Sequence, residues 1–317
     1  MRDGFIRVAS AVPDGQLADI EANVKEHERL IKQAYSDGCA LIVFPELSLT
    51  SYTCGDLFRE QALIRGAEKG LEKLMEMTKG LDILCVAGIP VPENGALYNC
   101  AAVFIKGKLI GISAKTHIPN YSEFYEARYF SKGIAARDFI NCGQKTLLGT
   151  GIIYSCGNIE GFTLGVEICE DLWVTIPPSS ELAAAGATVI ANLSCSDEVA
   201  GKSSYRKSIV SAQSMHLVSA YIYANAGMGE STTDLVFSGH SMIAENGMML
   251  NESKMYENGL IEADVDLERI TQERQRIGTW LPSYSDSIKE VNFTFEDVTA
   301  EKFVPEREIG RLPFVPS

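Results

Sequence analysis

The chain has 317 residues, 46% of them hydrophobic and 22% charged, a composition typical of a soluble globular protein with a large core. Its net charge of −14 argues against a nucleic acid partner, which requires clustered Lys and Arg, and against docking on anionic membranes. No apolar run approaches the roughly 20 residues that span a bilayer, and the N-terminus resembles a first strand more than a signal peptide, so we expect a cytoplasmic protein.

The predicted elements alternate between strands and helices. In chain order we predict strands at 5–12, 40–44 and 82–90, two strands within 97–115 that turn at 106–108, a hairpin within 149–169, strands at 187–194 and 219–226, and short strands within 235–266. Helices are predicted at 17–37, 56–79, 179–186, 203–218 and 267–276. Residues 115–150 are expected to be mostly loop, and residues 280–317 an extended arm. Because helices separate only some of the strands, the pattern favours helices that cover two sheets packed against each other.

Eight cysteines are scattered along the chain, most of them inside apolar segments. No CxxC motif occurs, and no Cys/His group has the spacing of zinc ligands, so we expect no metal site. In a chain that we expect to be cytoplasmic, most of these thiols should be reduced and buried.

Three segments place a reactive group where a predicted strand ends. Glu46 follows the strand in ALIVFPELS, Lys115 ends the strand in KLIGISAK, and Cys169 ends the strand in GFTLGVEIC. Taken singly, each has an ordinary explanation: a loop carboxylate, a surface ammonium and a packed thiol. Taken together, they predict one pocket that contains a thiol, a carboxylate and a cation, with no histidine near Cys169 in the sequence.

This set of groups suits attack on an amide or nitrile carbon. A glutamate whose pKa is raised by burial can accept the thiol proton, and a lysine can stabilise the thiolate and then the oxyanion of a tetrahedral intermediate. The leaving amine would take its proton from Glu46. Water would then hydrolyse the thioester with Glu46 acting as the base again.

The segments VFPEL, the stretch around Lys115 and GVEICEDLW together resemble the three signature regions of the nitrilase superfamily of carbon–nitrogen hydrolases. The similarity runs in order from residue 5 to about 270. It implies a four-layer αββα sandwich and a catalytic triad at Glu46, Lys115 and Cys169. In PNYSEFYEARYF, Glu126 matches the family's second glutamate, which would orient Lys115 and the substrate.

Within the superfamily, the chain most resembles the glutaminase domains of glutamine-dependent NAD synthetases. The resemblance rests on ELSLTSYTCGDLF, PNYSEFYEARYF, CEDLW, NLSCSDEVAGK and the terminal GRLPFVPS. It implies a pocket for L-glutamine lined by Tyr52, Tyr121, Phe124, Glu170 and Ser196. Lys202 lies where an arginine is expected, and a lysine keeps the charge but loses bidentate binding of a carboxylate.

One departure from such synthetases is large, because the chain has no Ser-Gly-Gly-type phosphate loop. We therefore expect a hydrolase domain at 1–275 and an extended arm at 276–317 that leads toward an absent synthetase domain or subunit. We expect no cofactor here, since ATP and Mg²⁺ would belong to the synthetase, and we expect at least a homodimer. Two alternatives stay open: a free-standing amidase acting on a small linear amide such as an N-carbamoyl compound, and a catalytically inactive binding domain.

Overall fold

Residues 4–280, 282–283, 285–296 and 304–307 are described by the computed structural model of this protein. Its strands are β1 (Phe5–Val12), β2 (Cys39–Val43), β3 (Leu84–Glu93), β4 (Ala96–Ile105), β5 (Lys108–Ala114), β6 (Arg137–Asn141), β7 (Gln144–Gly149), β8 (Ile152–Cys156), β9 (Thr163–Ile168), β10 (Val189–Ser194), β11 (Ala220–Asn225), β12 (Met242–Glu245), β13 (Met248–Glu252), β14 (Gly259–Asp266) and β15 (Lys289–Phe293). Its α-helices are α1 (Ile20–Ser36), α2 (Gln61–Met77), α3 (Pro178–Ala184), α4 (Lys202–Leu217) and α5 (Leu267–Arg276). None of the helices in these ranges is long and apolar enough to cross a membrane.

The strands form two mixed sheets that pack face to face. The first sheet has the order β14-β1-β2-β3-β4-β5-β7-β6, and the second has the order β13-β12-β11-β10-β9-β8-β15. Side chains such as Val8, Val43, Val166 and Leu193 form the core between the sheets. A hydrogen bond from Ser10 Oγ to the backbone oxygen of Tyr223, 3.0 Å long, also crosses this interface.

Helices cover the outer face of each sheet, which completes the four layers predicted for the chain. Helices α1 and α2 pack on the first sheet through a cluster that includes Leu30, Ile31 and Leu71. Helices α3 and α4 pack on the second sheet through a cluster that includes Leu182 and Val210. Helix α2 buries one apolar stripe and leaves its polar face outside, as expected for an amphipathic surface helix, whereas the buried face of α4 also contains Arg206 and Ser214.

The N-terminal part of the helix predicted at 56–79 differs from the structure. A 3-10 segment at Tyr52–Arg59 precedes the α-helix, which begins only at Gln61. Within this segment Gly55 has φ +54°, a conformation that an α-helix does not contain. The helical periodicity was therefore correct only from Gln61 onward.

Two predictions were wrong or incomplete at the sheet edges. The segment 115–150, expected to be mostly loop, contains the antiparallel pair β6 and β7, which forms one edge of the first sheet. Within the tail expected to be an extended arm, β15 pairs in parallel with β8 and forms an edge of the second sheet. Both edges are short and partly exposed, so their apolar alternation is weak. The remaining arm residues 297–303 and 308–317 lie outside the described residues, and the domain boundary at 275 stays a prediction.

Candidate active site

The three strand ends predicted to carry chemistry meet in the interior of the sandwich. Strands β2 and β5 of the first sheet run in the same direction, so Glu46 and Lys115 follow strand ends at the same edge. Lys115 Nζ lies 2.6 Å from Glu46 Oε1 and 2.6 Å from Glu126 Oε1. Cys169 follows β9 of the second sheet and is only 5% exposed.

The turn that carries Glu46 depends on a glycine in the neighbouring strand. Gly88 lies in β3, and a Cβ atom there would be 2.1 Å from the backbone nitrogen of Leu47. The chain after Glu46 can therefore cross directly over β3 only because Gly88 has no side chain. Leu47 itself has φ +49°, which turns the chain sharply behind the glutamate.

Cys169 occupies a strained turn directly after β9. Its φ of +46° is left-handed, which for a residue with a Cβ costs on the order of 1–2 kcal/mol. A short 3-10 helix, Cys169–Leu172, begins at this residue. The turn is held by hydrogen bonds from the backbone N–H of Ile168 to Asp171 Oδ2, at 3.0 Å, and from that of Cys169 to Asn192 Oδ1, at 3.3 Å.

The buried carboxylate of Asp171 joins the cysteine turn to the end of the lysine strand. Besides Ile168, the backbone N–H groups of His117 and Thr116 donate to it, at 2.8 Å and 3.3 Å. Burial, and then the charge of Glu167, raises the pKa of Asp171 to about 8. Sequence analysis did not identify Asp171. The available signal was the pair of acidic residues, Glu170 and Asp171, that directly follows the cysteine.

Asn99 in β4 contacts both glutamates of the cluster and was also missed. Its Nδ2 donates to Glu46 Oε1 at 2.6 Å and lies 3.4 Å from Glu126 Oε2. The second oxygen of Glu46, Oε2, accepts the backbone N–H of Cys195 at 3.0 Å. Nothing in the sequence near Asn99 separates it from other polar residues in a strand.

Burial and the paired charges shift the pKa values at this centre. Burial lowers the pKa of Lys115, but the Glu126 and Glu46 carboxylates outweigh it and raise that pKa well above the ordinary lysine value. Burial raises the pKa of Glu126 to about 7, against the opposing effect of Lys115. Burial, then the charge of Glu46, raises the pKa of Cys169 well above its ordinary value. The resting thiol is therefore protonated and needs a base to react.

Tyr52, predicted to line a substrate pocket, belongs to this buried centre. Its hydroxyl donates to Glu126 Oε1 at 2.8 Å, and its backbone N–H donates to Glu230 Oε2 at 2.7 Å. Beside Tyr52 and Glu126 lies a cavity of about 210 Å³, lined mainly by aromatic and apolar side chains that include Phe58 and Phe130.

A second group of predicted residues forms a more exposed rim. The hydroxyl of Tyr121 donates to both oxygens of Glu170, at 3.0 and 2.9 Å. The rings of Tyr121 and Phe124 lie 6.1 Å apart, and Lys202 Nζ lies 5.7 Å from the ring centre of Phe124. Because Glu170 directly follows Cys169 in the chain, this rim adjoins the buried centre.

Ser196, the remaining predicted pocket residue, lies buried at the end of β10. Its backbone N–H donates to Asn225 Oδ1 at 2.8 Å, and its Oγ accepts from Arg206 Nε at 3.4 Å. The next residue, Asp197, forms an ion pair with Lys202 and was not identified from the sequence. In the part of the chain that the structure describes, no group of three or more His, Cys, Asp or Glu side chains is arranged to hold a metal ion.

Comparison with known proteins assigns both a family and a set of relatives. Residues 7–275 match the carbon–nitrogen hydrolase family. The glutamine-dependent NAD(+) synthetase of Mycobacterium tuberculosis is 37% identical over 99% of this chain and 47% of its own length. That of Thermotoga maritima is 34% identical over 83% of this chain and 42% of its own. The chain thus spans about half the length of the curated relatives that it matches.

Solved structures agree with the fold. A glutamine-dependent NAD(+) synthetase from Cytophaga hutchinsonii superposes with a TM-score of 0.72 at 29% identity, covering 82% of this chain and 43% of that one. A Nesterenkonia amidase of the nitrilase superfamily superposes with a TM-score of 0.68 at 18% identity, covering 87% of this chain and 96% of that one. At this identity the amidase supports the four-layer fold alone.

Proposed function

Since this chain belongs to the carbon–nitrogen hydrolase family, we propose that it hydrolyses the side-chain amide of L-glutamine and releases ammonia for NAD synthesis. The observation that carries the proposal is the buried Lys115 ammonium, held at 2.6 Å from each of two carboxylates beside a strained cysteine. The similarity to glutamine-dependent NAD synthetases over nearly the whole chain supports glutamine as the amide.

The first half of the proposed reaction forms a thioester. Cys169 Sγ attacks the amide carbon while Glu46 accepts the thiol proton. Glu46 Oε2 is suited to this step because, among the described residues, it accepts one hydrogen bond, from the backbone N–H of Cys195, and keeps a lone pair for the proton. The carbonyl oxygen becomes an oxyanion, which the Lys115 ammonium stabilises. Collapse of this intermediate breaks the C–N bond, and the leaving nitrogen departs as ammonia with the proton from Glu46.

The second half hydrolyses the thioester. Glu46, again ionised, removes a proton from water as the oxygen attacks the thioester carbon. Collapse of the second tetrahedral intermediate releases glutamate and returns the proton to Cys169 Sγ. Glu126 takes no proton in this scheme. It balances the charge of Lys115 and orients that ammonium.

The rim suits the amino acid end of glutamine. Glu170 presents a carboxylate whose described side-chain donor is the Tyr121 hydroxyl, so it can accept a substrate ammonium. Lys202, placed over the ring of Phe124, supplies a cation at the same rim. Ser196 and the ring of Tyr121 would complete the contacts that hold the amide carbon of the substrate beside Cys169 Sγ.

The ammonia would be consumed by a synthetase domain or a separate synthetase subunit. This part of the proposal is supported by relatives that are about twice as long as the segment they share with this chain. ATP and Mg²⁺ would bind to the synthetase, and this chain would need no cofactor of its own. We also propose that the active form contains at least two copies of the chain, in a cytoplasmic setting.

The test is to detect the acyl enzyme. The protein is incubated with L-glutamine, quenched in acid and analysed by mass spectrometry, while ammonia is measured in parallel. We expect a γ-glutamyl adduct on Cys169 and slow ammonia release, because an ammonia-supplying domain is often restrained without its partner. Cys169→Ala should abolish both signals. Cys156→Ala, which removes a half-buried thiol outside the site, should leave both unchanged.

Two outcomes would overturn the proposal. Acylation by N-carbamoyl or other linear amides but not by glutamine would identify a free-standing amidase instead. The absence of an adduct with any amide would identify a catalytically inactive binding domain.

A further inference from the structure

We propose that Asp197 sets the substrate specificity of the rim by neutralising Lys202, so that the pocket recognises the ammonium group of its substrate more strongly than the carboxylate. This inference rests on the proposed function and adds to it a residue that selects the class of amide. It concerns the part of the substrate that is remote from the reacting bond.

The ion pair between Asp197 and Lys202 is built into the fold. Asp197 is 2% exposed, and its carboxylate pairs with Lys202 Nζ at the start of α4. The side chain of Lys202 is 18% exposed, so its ammonium remains partly accessible to solvent. The ammonium also lies 5.6 Å from the ring centre of Trp173 and 5.7 Å from that of Phe124. Its position is thus determined on several sides.

A buried arginine holds the turn that carries Asp197. Arg206 is fully buried, and its Nη2 donates to the backbone oxygen of Asp197 at 3.0 Å. The same guanidinium contacts Ser196 Oγ at 3.4 Å and Glu198 Oε2 at 3.0 Å. Three consecutive residues are therefore fixed by one side chain, which keeps the carboxylate of Asp197 directed at Lys202.

The charge balance at the rim favours a cationic ligand group. Lys202 pairs with Asp197, and the carboxylate of Glu170 brings the net charge of these three groups to −1. Opposite charges in close contact attract strongly in a partly buried setting, so a carboxylate that enters beside Lys202 must compete with Asp197. A lysine also lacks the several planar N–H donors with which an arginine guanidinium could bind two carboxylates at once.

Two analogues of glutamine separate the contributions of the two charged groups. Glutaramic acid keeps the amide and the carboxylate but lacks the ammonium group. 4-Aminobutanamide keeps the amide and the ammonium but lacks the carboxylate. Affinities are measured by titration calorimetry in the Cys169→Ala background, where no turnover occurs. We expect 4-aminobutanamide to bind more tightly than glutaramic acid.

The diagnostic variant is Asp197→Asn. It should strengthen the binding of glutaramic acid by about tenfold and weaken that of 4-aminobutanamide by a few-fold, because it adds one net positive charge to the rim. In a Lys202→Gln background the same substitution should have little effect on glutaramic acid, since no cation remains to be released. Asp138→Asn, which removes an exposed carboxylate on β6, is the matched control and should change neither affinity.

The outcomes distinguish this inference from the proposed function. If Asp197→Asn weakens the binding of glutaramic acid, 4-aminobutanamide and L-glutamine equally, or changes none of these affinities, then Asp197 only supports the turn and the inference is wrong. If its effect on glutaramic acid persists without Lys202, the ion pair is not the cause and the inference is again wrong. If L-glutamine itself does not bind the Cys169→Ala protein, the proposed function fails before specificity is considered.

Discussion

The buried centre and the exposed rim of this site are built in different ways. At the centre, Glu46, Lys115 and Glu126 are nearly inaccessible to solvent, and each is paired with another member of the group. At the rim, Tyr121 is 54% exposed, and it contacts a half-buried Glu170. The centre is therefore a buried cluster of charges, whereas the contact between Tyr121 and Glu170 at the rim is open to solvent.

Stability and activity are therefore expected to be coupled at the centre but not at the exposed part of the rim. Removing one member of a buried ion pair leaves an uncompensated charge, which is strongly destabilising. Changing a partly exposed group costs little, because water replaces the lost contact. Substitutions at the centre should thus affect both folding and chemistry, while substitutions at the rim should affect ligand binding alone.

The largest effect is expected for Lys115→Met. The substitution leaves two buried carboxylates without their cation and removes the proposed oxyanion donor. We expect acylation of Cys169 to fall by about a thousandfold or more, and the free energy of unfolding to fall by about 3–5 kcal/mol. Acylation is measured by mass spectrometry and stability by urea unfolding. Lys132→Met removes an exposed ammonium and should change neither quantity. If the Lys115→Met protein were acylated at the normal rate, Lys115 would not be the oxyanion donor, and the proposed coupling of stability and chemistry at the centre would be wrong.

Asp171→Asn tests whether the link between the cysteine turn and the lysine strand matters for chemistry. The amide can still accept one or two of the three backbone N–H bonds, but its NH₂ group opposes the others. We expect acylation to slow by about 10- to 100-fold, with little change in the concentration of glutamine at half-saturation. Asp138→Asn again serves as the control. A variant that loses affinity while keeping its acylation rate would place Asp171 among the binding residues instead.

Glu230→Gln tests how the buried surroundings of the centre respond to pH. Burial raises the pKa of Glu230 to about 8 from an ordinary value of 4.5, so the folded protein holds a proton that the unfolded chain has lost in this range. Stability from this group is present below about pH 4.5 and is lost as the pH rises toward 8. The unfolding free energy of the variant should therefore fall less steeply with rising pH than that of the original protein, by up to about 1.4 kcal/mol per pH unit. Parallel curves of unfolding free energy for the two proteins between pH 5 and 8 would exclude this role.

The smallest effect is expected for Tyr121→Phe at the rim. The substitution removes the hydroxyl that donates to Glu170 but keeps the ring beside Phe124. We expect the affinity for glutamine to fall by about three- to tenfold, because Glu170 loses the donor that holds it in place. The unfolding free energy and the acylation rate at saturation should not change. A fall in the unfolding free energy of more than about 1 kcal/mol would mean that the contact of Tyr121 with Glu170 contributes to folding stability, as the contacts at the centre do.

Strand ends were predictable from the sequence because their signal is local. A continuous apolar run followed by Pro45-Glu46, or by Cys169 and two acidic residues, marks where a buried strand stops. The same reasoning failed for β6 and β15, because short edge strands with one exposed face lack that run. The pocket role of Tyr52, which the family resemblance implied, stays a prediction; its hydroxyl contacts Glu126, and its side chain lines the neighbouring cavity.

Most of the helices and strands, and the three strand ends that carry a carboxylate, an ammonium and a thiol, could be predicted from the sequence alone, because their signals depend on neighbours within about ten positions along the chain. The four-layer fold was implied by the resemblance to the nitrilase superfamily. The polar side chains that support the site, among them Asn99, Asp171 and Asp197, could be identified only from the tertiary structure. Their roles come from partners on other strands and from burial, and neither the distance to a partner nor the loss of solvent is encoded in the residues next to them.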